Sequence, residues 1–590
     1  MKVSSWSVIG LAALFLLGFS ELAVSLHRVQ VEDVADFKKD LTDQATRRMR
    51  KPGIRGRILD AKGGVLAESR ARRDIVCDLS AFLKSGSVSN TVAAVEAEIA
   101  RLADELGFDR PSTVTADRIR RHIRTQSAVA MCVWRDLDEQ SFAKFEERAS
   151  AFSGFSVETH AERIYPRGTF AAHVVGYTGR DRGDGDEDDV RMLAYELEMK
   201  GRSGLEAFYD EYLAGVAGSV RIPVDARGFK PSGAARSSID LGETEERAAQ
   251  DGLDLQLTLD PDVQAAVERQ LDGVCGACVV LDPRDGAVLA MASAPTYNPN
   301  DFVPFVSAKR YRELSEDEGR PLLNRATSGL YPPGSTFKPV TALAALKSGM
   351  VKADAKYECT GVYRLGDMRL HCWNRWGQGM LDMRQAIEQS CNPYFARLGY
   401  LLGTNTLFGM AREFGFEAKT GIDYRPERTG ALASPPFYPG LASQSAIGQG
   451  RILVTPLQMA VECAALANGG KVFAPYLKKR TDGTPPPEPV RRLSSTAADM
   501  ELVRLGMRSV VEGEKGTGKT IGGLRVPCAG KTGTAQIGGG MKHTWVIAFA
   551  PYDSPTVAVA MVVERGASGG KTVAPRVHAV LASIFGEAER

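Results

Sequence analysis

The chain reads as an α+β protein with an apolar helix at its N-terminus, and three observations carry that expectation. From Trp6 to Leu26 the only charged residue is Glu21. Residues 29–250 mix short β-like runs with polar helices. From 253 onward, strand-like runs stand at both ends of a long helical middle section, which predicts one antiparallel sheet covered by helices. At 590 residues there is room for two or three domains and a large core. A composition 44% hydrophobic and 25% charged is that of a folded globular chain, and a net charge of +2 gives no reason to expect nucleic acid.

The apolar run makes roughly 31 Å of helix, enough to cross a bilayer core. A cleaved signal peptide is the competing reading. The run is long for a signal, and Ala23-Val24-Ser25 is a poor small-x-small cleavage site, so a short tail and uncleaved anchor over 1–28 are expected. Lys2 precedes the span while Arg28, Lys38 and Lys39 follow it, so positive charges do not orient it.

Within 29–250, AAVEAEIARLADELG (93–107) has the 3.6-residue period of an amphipathic helix. DRGDGDEDD (181–189) reads as a solvated acidic loop rather than a calcium site. The polar, small-residue-rich stretch 231–252 reads as a linker to a domain over 251–590. There LDLQLTL is a predicted strand, and Asp260-Pro261 opens the helix DVQAAVERQL. CGACVVLDP and AVLAMAS form a hairpin about Arg284-Asp285-Gly286. KTGTAQI, TWVIAFA and TVAVAMVVE are strands, and PRVHAVLASIF is a closing helix.

Of nine cysteines, Cys275 and Cys278 form a C-x-x-C that lacks a second pair at zinc-ribbon spacing and sits in an apolar strand, so both are read as core residues. Cys359 and Cys372 flank Gly366-Asp367, a hairpin-type turn, and so could face each other as a disulfide. Free core thiols, or a metal shared with His371, are the alternatives.

Three short motifs carry chemistry. Ser335-Thr336-Phe337-Lys338 follows Pro332, Pro333 and Gly334 and opens a helix that ends near Gly349. Positions i and i+3 share a helix face, so Lys338 can reach the Ser335 hydroxyl. A serine needs a base to become a nucleophile, and a buried lysine near another cation can be that base. Ser390-Cys391-Asn392 comes 55 residues later, before a helix opened by Pro393. Its hydroxyl and amide can pass protons and hold a substrate amide. Lys531-Thr532-Gly533-Thr534 lies in a strand, where period two puts Thr532 and Thr534 on one face and Gly533 lets a ligand backbone approach. Each also has a plain reading: Ser335 and Asn392 as helix caps, Lys338 as a surface residue, Lys531 as an exposed lysine on a glycine-weakened edge. Order and spacing together are what is specific.

Competing motifs fail. Gly513 to Thr520 matches the phosphate-loop pattern but follows a helical segment where a strand is required. Gly566-Ala-Ser568-Gly-Gly570 matches G-x-S-x-G, yet no acid lies between Ser568 and His578, the one later histidine. No H-E-x-x-H or comparable metal motif is present.

With these motifs the chain resembles a class B penicillin-binding protein over nearly its whole length. RGRILDAKGGVLA (55–67), RIYPRGTFAAHVVGY (163–177) and GRSGLEAFYDEYLAGVAG (201–218) resemble that family's pedestal signatures. ASAPTYNPN (292–300), AIGQGRILVTPLQMA (446–460) and AGKTGTAQ (529–536) resemble those of its catalytic domain. A β-lactamase would lack the pedestal, and a bifunctional class A protein would carry a polymerase domain ahead of it. YPPGSTFKPV and residues 371–392 resemble the cell-elongation branch more than the division branch, although that branch often has Asp where Asn392 stands, and Asp60-Ala61-Lys62-Gly63 replaces the usual D-R-N-G.

The resemblance implies an elongated pedestal and a transpeptidase domain with a five-stranded antiparallel sheet. It implies that Ser335 attacks the D-Ala–D-Ala carbonyl of a stem peptide while Lys338 takes its proton. Backbone N–H groups of Ser335 and Thr534 would form the oxyanion hole. Thr532 and Thr534, supported by Lys531 beside Gly533, would hold the terminal carboxylate. Ser390 would relay a proton to the leaving D-Ala, Asn392 would orient the peptide, and the amine of a second stem peptide would resolve the acyl-enzyme. β-Lactams would acylate the same serine. The resemblance implies no metal or organic cofactor, a single-pass place in the bacterial cytoplasmic membrane with the catalytic domain outside, and a multispanning glycan-strand polymerase as partner, which Glu21 could contact within the span. A β-lactam sensor and an inactive scaffold are the rival classes.

Overall fold

The computed structural model describes residues 5–33, 45–83, 87–180, 199–225, 228–230, 247–432, 438–481 and 483–588. The acidic run 181–189 and residues 231–246 of the expected linker lie outside them. Ser5–His27 is a helix, and from Val8 to Glu32 the helical segment buries none of its residues at a mean hydropathy of 2.1. A helix with Phe15, Leu17 and Phe19 each more than 60% exposed to water needs an apolar solvent, and this one is long enough to cross a membrane.

The N-terminal region is built on a long strand, Val65–Cys77, paired antiparallel with Phe155–Ile164 and, at its far end, with Met131–Trp134. The helix expected over 93–107 runs Val88–Leu106, capped by Ser87 and stopped by Gly107 in the left-handed region at φ 68°. It buries Val92, Val95, Ile99, Leu102 and Leu106, the face its period predicted.

The three pedestal signatures converge on one buried carboxylate. Glu206 accepts from Arg55 Nε at 2.6 Å and from Arg163 Nε at 2.7 Å, and Tyr165 donates its hydroxyl at 3.3 Å. Burial alone would raise the Glu206 carboxyl, but the two guanidiniums overcome it and hold the group below the ordinary value. Arg163 also donates to the Gly56 carbonyl at 2.7 Å, and Arg55 pairs with Asp210 at 2.8 Å.

The C-terminal sheet has five antiparallel strands, in spatial order Val288–Ala294, Gly276–Leu281, Val557–Val563, Lys542–Ala550 and Ala529–Gln536. Its faces follow period two: Cys278 and Val280 pack with Val267, Val577 and Leu581 of the helices Pro261–Leu271 and Ala574–Phe585. Ala277, Val279 and Leu281 face the other way, into the core that contains the helix Pro456–Ala467, every residue of which is buried. Ala529–Gln536 is thus an edge strand. Cys278 lies in the core, whereas Cys275 is half-buried just before its strand.

One expected strand belongs elsewhere. LDLQLTL does not join the catalytic sheet. Leu255–Gln256 pairs in parallel with Ile58–Leu59, because Leu255 N and Leu257 N find the carbonyls of Arg57 and Leu59 at 2.8 Å. The pedestal sheet therefore takes its last strand from the start of the catalytic region. A second link joins two signatures directly: Asn300 Oδ1 accepts from Tyr165 N at 3.0 Å and Asn300 Nδ2 donates to Tyr165 O at 2.9 Å.

Candidate active site

The turn Gly334–Phe337 is a 3₁₀ segment that passes straight into the helix Lys338–Ser348, stopped by Gly349 in the left-handed region. Pro333, not Ser335, occupies the cap position, so the serine hydroxyl is left half-buried beside the edge strand rather than consumed as a cap. Two glycines permit the approach. Gly334 has φ 57°, and a Cβ there would lie 3.2 Å from the Thr534 carbonyl. Gly448, from AIGQG, accepts from Gly334 N at 2.8 Å, and a Cβ on it would strike Gly334 O at 2.0 Å. The serine is thus seated between the edge strand and the AIGQG turn.

Lys338 is fully buried, and its three donors go to Ser390 O at 2.7 Å, Ser390 Oγ at 3.2 Å and Asn392 Oδ1 at 2.8 Å. None is spent on Ser335, the partner expected from i,i+3 spacing. An ammonium so saturated has no lone pair; only after losing a proton can it accept from the serine. Lys531 is also fully buried, not the exposed edge lysine of the plain reading, and donates to Ser390 Oγ at 2.8 Å and Thr532 O at 3.0 Å. The S-x-x-K, S-x-N and K-T-G motifs therefore meet on one hydroxyl, Ser390 Oγ. Asn392 is not a cap either: Oδ1 serves Lys338 and Nδ2 donates to His371 O at 2.9 Å.

Burial dominates the electrostatics of both lysines. Burial pushes the Lys338 amine down to about 8, with the nearby thiols of Cys391, Cys372 and Cys359 opposing. Burial pushes Lys531 well below its ordinary value, and the charge of Lys338 pushes it further. Both amines are thus lowered: the Lys338 ammonium has an amide oxygen and a carbonyl to stabilise it, and Lys531 has one carbonyl and the shared hydroxyl. The charge of Lys338 lowers Lys531, so the pair holds one proton more readily than two.

On the edge strand, a Cβ at Gly533 would meet Thr336 Cγ2 at 3.0 Å and Pro333 O at 3.1 Å, so the glycine is required by the Ser335 turn itself. Thr534 Oγ1 accepts from Gly569 N at 3.2 Å, and Thr532 Oγ1 shares a hydrogen bond of 3.0 Å with Thr517 Oγ1. Thr517 was missed by sequence reasoning. It belongs to the phosphate-loop look-alike, which follows the helix Ala497–Glu512 and delivers a hydroxyl to the K-T-G strand. Ser568, from the rejected G-x-S-x-G, caps the turn after it, accepting from Lys571 N at 3.2 Å.

The cysteines also differ from the hairpin expectation. Val362–Leu365 and Met368–His371 do pair about Gly366-Asp367. Cys391, however, joins Cys359 and Cys372, and all three sulfurs lie within 4.8 Å of one another as free, buried thiols. Cys391 Sγ–H lowers the Cys372 thiol by hydrogen bonding to it. No one disulfide is dictated. Three thiols at this spacing are chemically suited to a soft divalent cation; His371, the ligand considered from sequence, is not in the group.

A buried lysine pair meeting on a serine hydroxyl, beside a second, accessible serine under a glycine-bearing edge strand, defines a serine acyltransferase site. Residues 276–582 match the family described as penicillin-binding protein transpeptidase domain, and 50–256 match penicillin-binding protein dimerisation domain. The peptidoglycan D,D-transpeptidase MrdA of Escherichia coli is 31% identical over 588 residues, covering 93% of this chain and 89% of that one. A penicillin-binding protein PBP2 from Helicobacter pylori, solved in complex with MreC, superposes with a TM-score of 0.76 at 25% identity, covering 91% of this chain and 98% of that one. A chain from a structure titled as coordinating polymerization and crosslinking in a peptidoglycan synthase complex has a TM-score of 0.71 at 28% identity and 99% coverage of both. The chain belongs to the penicillin-binding protein transpeptidase family, as a monofunctional class B enzyme. Within that class its relatives place it in the elongation branch, despite Asn392 in the motif.

Proposed function

We propose that this protein cross-links peptidoglycan stem peptides through an acyl-enzyme on Ser335, with release of the terminal D-Ala, and that β-lactams acylate the same oxygen. The observation that carries the reading is the convergence of Lys338 and Lys531 on Ser390 Oγ at 3.2 and 2.8 Å. Lys338, once neutral, takes the Ser335 proton. Ser390, with one lysine on each side of its hydroxyl, passes a proton to the leaving amine. Backbone N–H groups of Ser335 and Thr534 receive the oxyanion; each such donor is worth roughly 3–4 kcal/mol in the transition state. Thr532 and Thr534 bind the substrate carboxylate, whose negative charge favours the charged form of nearby Lys531. Asn392 orients the peptide.

The helix Ser5–His27 anchors the protein as a single span, with the catalytic domain outside the cytoplasmic membrane. The relative solved with MreC and the one from a peptidoglycan synthase complex support a place in the shape machinery, beside a glycan-strand polymerase contacted through anchor and pedestal. The test is mass spectrometry of the protein after exposure to a β-lactam. One adduct on Ser335, absent in Ser335→Ala of unchanged thermal midpoint, is expected; an adduct on Ser390 or Ser568 overturns the assignment.

A further inference from the structure

Ser390 adopts φ 53°, a left-handed conformation that a non-glycine residue rarely keeps unless its surroundings hold it there. Its oxygens are the hub of the site, since Oγ lies between the two lysines and the carbonyl receives Lys338. The preceding carbonyl, Gln389 O, is one of the orphan acceptors at the end of the helix Met383–Glu388. Two side chains from one short segment close on it. Trp373 Nε1 donates to Gln389 O at 2.7 Å, and Gln378 Nε2 donates to the same oxygen at 3.2 Å. From the other side of the turn, Asn392 Nδ2 donates back to the segment, at His371 O.

The segment is itself stiff. Asn374 accepts from Trp376 N at 3.1 Å and donates to Gly377 O at 2.7 Å. Gln378 N donates to Cys359 O at 2.9 Å, and a Cβ on Gly377 would strike that same carbonyl at 2.2 Å. The ordinary role of a tryptophan is to bury its ring, but Trp373 is 63% exposed. What the protein obtains from it at this position is the indole N–H.

We propose that Trp373 and Gln378 are positioning residues for acylation: they pinch the Gln389 carbonyl from two sides and so hold Ser390 in the left-handed conformation that sets its hydroxyl between Lys338 and Lys531. Neither reaches the reacting atoms, and both act through Ser390. The inference rests on the Ser335 acyl-enzyme reading, so the site of the adduct is established in the unaltered protein first, and its absence from Ser335 there counts against that reading rather than against the clasp.

The experiment is stopped-flow acylation of the full-length, detergent-solubilised protein by a chromogenic cephalosporin, resolving the dissociation constant of the initial complex from the acylation constant. Trp373→Phe keeps an exposed ring and removes the donor; Gln378→Leu removes the other. Each is expected to lower the acylation constant about tenfold, the worth of one well-placed hydrogen bond, with the dissociation constant and the thermal midpoint unchanged. The double variant should lose less than the product of the two, because both act on one carbonyl. Acylation constants equal to the parent's overturn the proposal. So does a loss confined to the dissociation constant, which would make Trp373 a substrate contact, and so does a loss that tracks a falling thermal midpoint, which would make the segment merely structural.

Discussion

The protonation of the lysine pair makes a quantitative prediction. The second-order rate of acylation by a β-lactam reports the free enzyme, and it requires Lys338 to be neutral. With Lys338 held at about 8, roughly a tenth of the enzyme is competent at pH 7 and nine-tenths at pH 9, so the rate should rise about tenfold between them. The perturbation that isolates this amine is Asn392→Ala. Asn392 Oδ1 accepts from the Lys338 ammonium at 2.8 Å, and a hydrogen bond to a charged group contributes about 1.5–3 kcal/mol. Its loss destabilises the charged form. At about 1.4 kcal/mol per pKa unit, the midpoint should move down by about one to two units, toward the low end because Asn392 is half-exposed and water can replace it. The maximum rate should also fall, since the amide orients substrate, but the midpoint is independent of that amplitude. The assay is the acylation rate of parent and variant from about pH 5.5 to 9.5. A midpoint that stays in place or moves upward would refute the argument that the Lys338 proton limits acylation.

Lys338→Arg should abolish acylation, because a guanidinium cannot become the base, whereas Lys531→Arg should retain more; equal or inverted second-order rates would exclude Lys338 as the base. Glu206→Ala leaves Arg55 and Arg163 buried without their shared carboxylate and should cost about 3–5 kcal/mol, read as a fall in the denaturation midpoint, while Arg57→Ala, on an exposed pair with Asp254, should cost less than about 1 kcal/mol. Mild oxidation of the three-thiol cluster should give mixed pairings of Cys372 with Cys359 and with Cys391, and the second should slow acylation because Cys391 lies between Ser390 and Asn392; non-reducing peptide maps that recover Cys359–Cys372 alone would restore the simple hairpin bridge.

Much of this was legible in the chain itself. Helix and strand periods are local, so Val88–Leu106, the hairpin from Gly276 and the three closing strands follow from patterning, and so does the apolar helix at the N-terminus. The motifs are local too: spacing singled out Ser335, Lys338, Ser390, Asn392 and Lys531 as candidates before any of them had neighbours. What spacing does not contain is who receives each proton and each hydrogen bond. Lys338 stands three positions after Ser335, yet its three donors go to residues more than fifty positions away. Thr517 reaches Thr532, and Cys391 reaches Cys359 and Cys372, through contacts that no local pattern records. The short run at Leu255 had the texture of a catalytic strand, but the open edge at Ile58–Leu59 took its hydrogen bonds. The burial of the two lysines is the clearest case. Both side chains are completely buried, and the lowering of each amine follows from that burial and from the oxygens that the tertiary fold brings within about 3 Å of it.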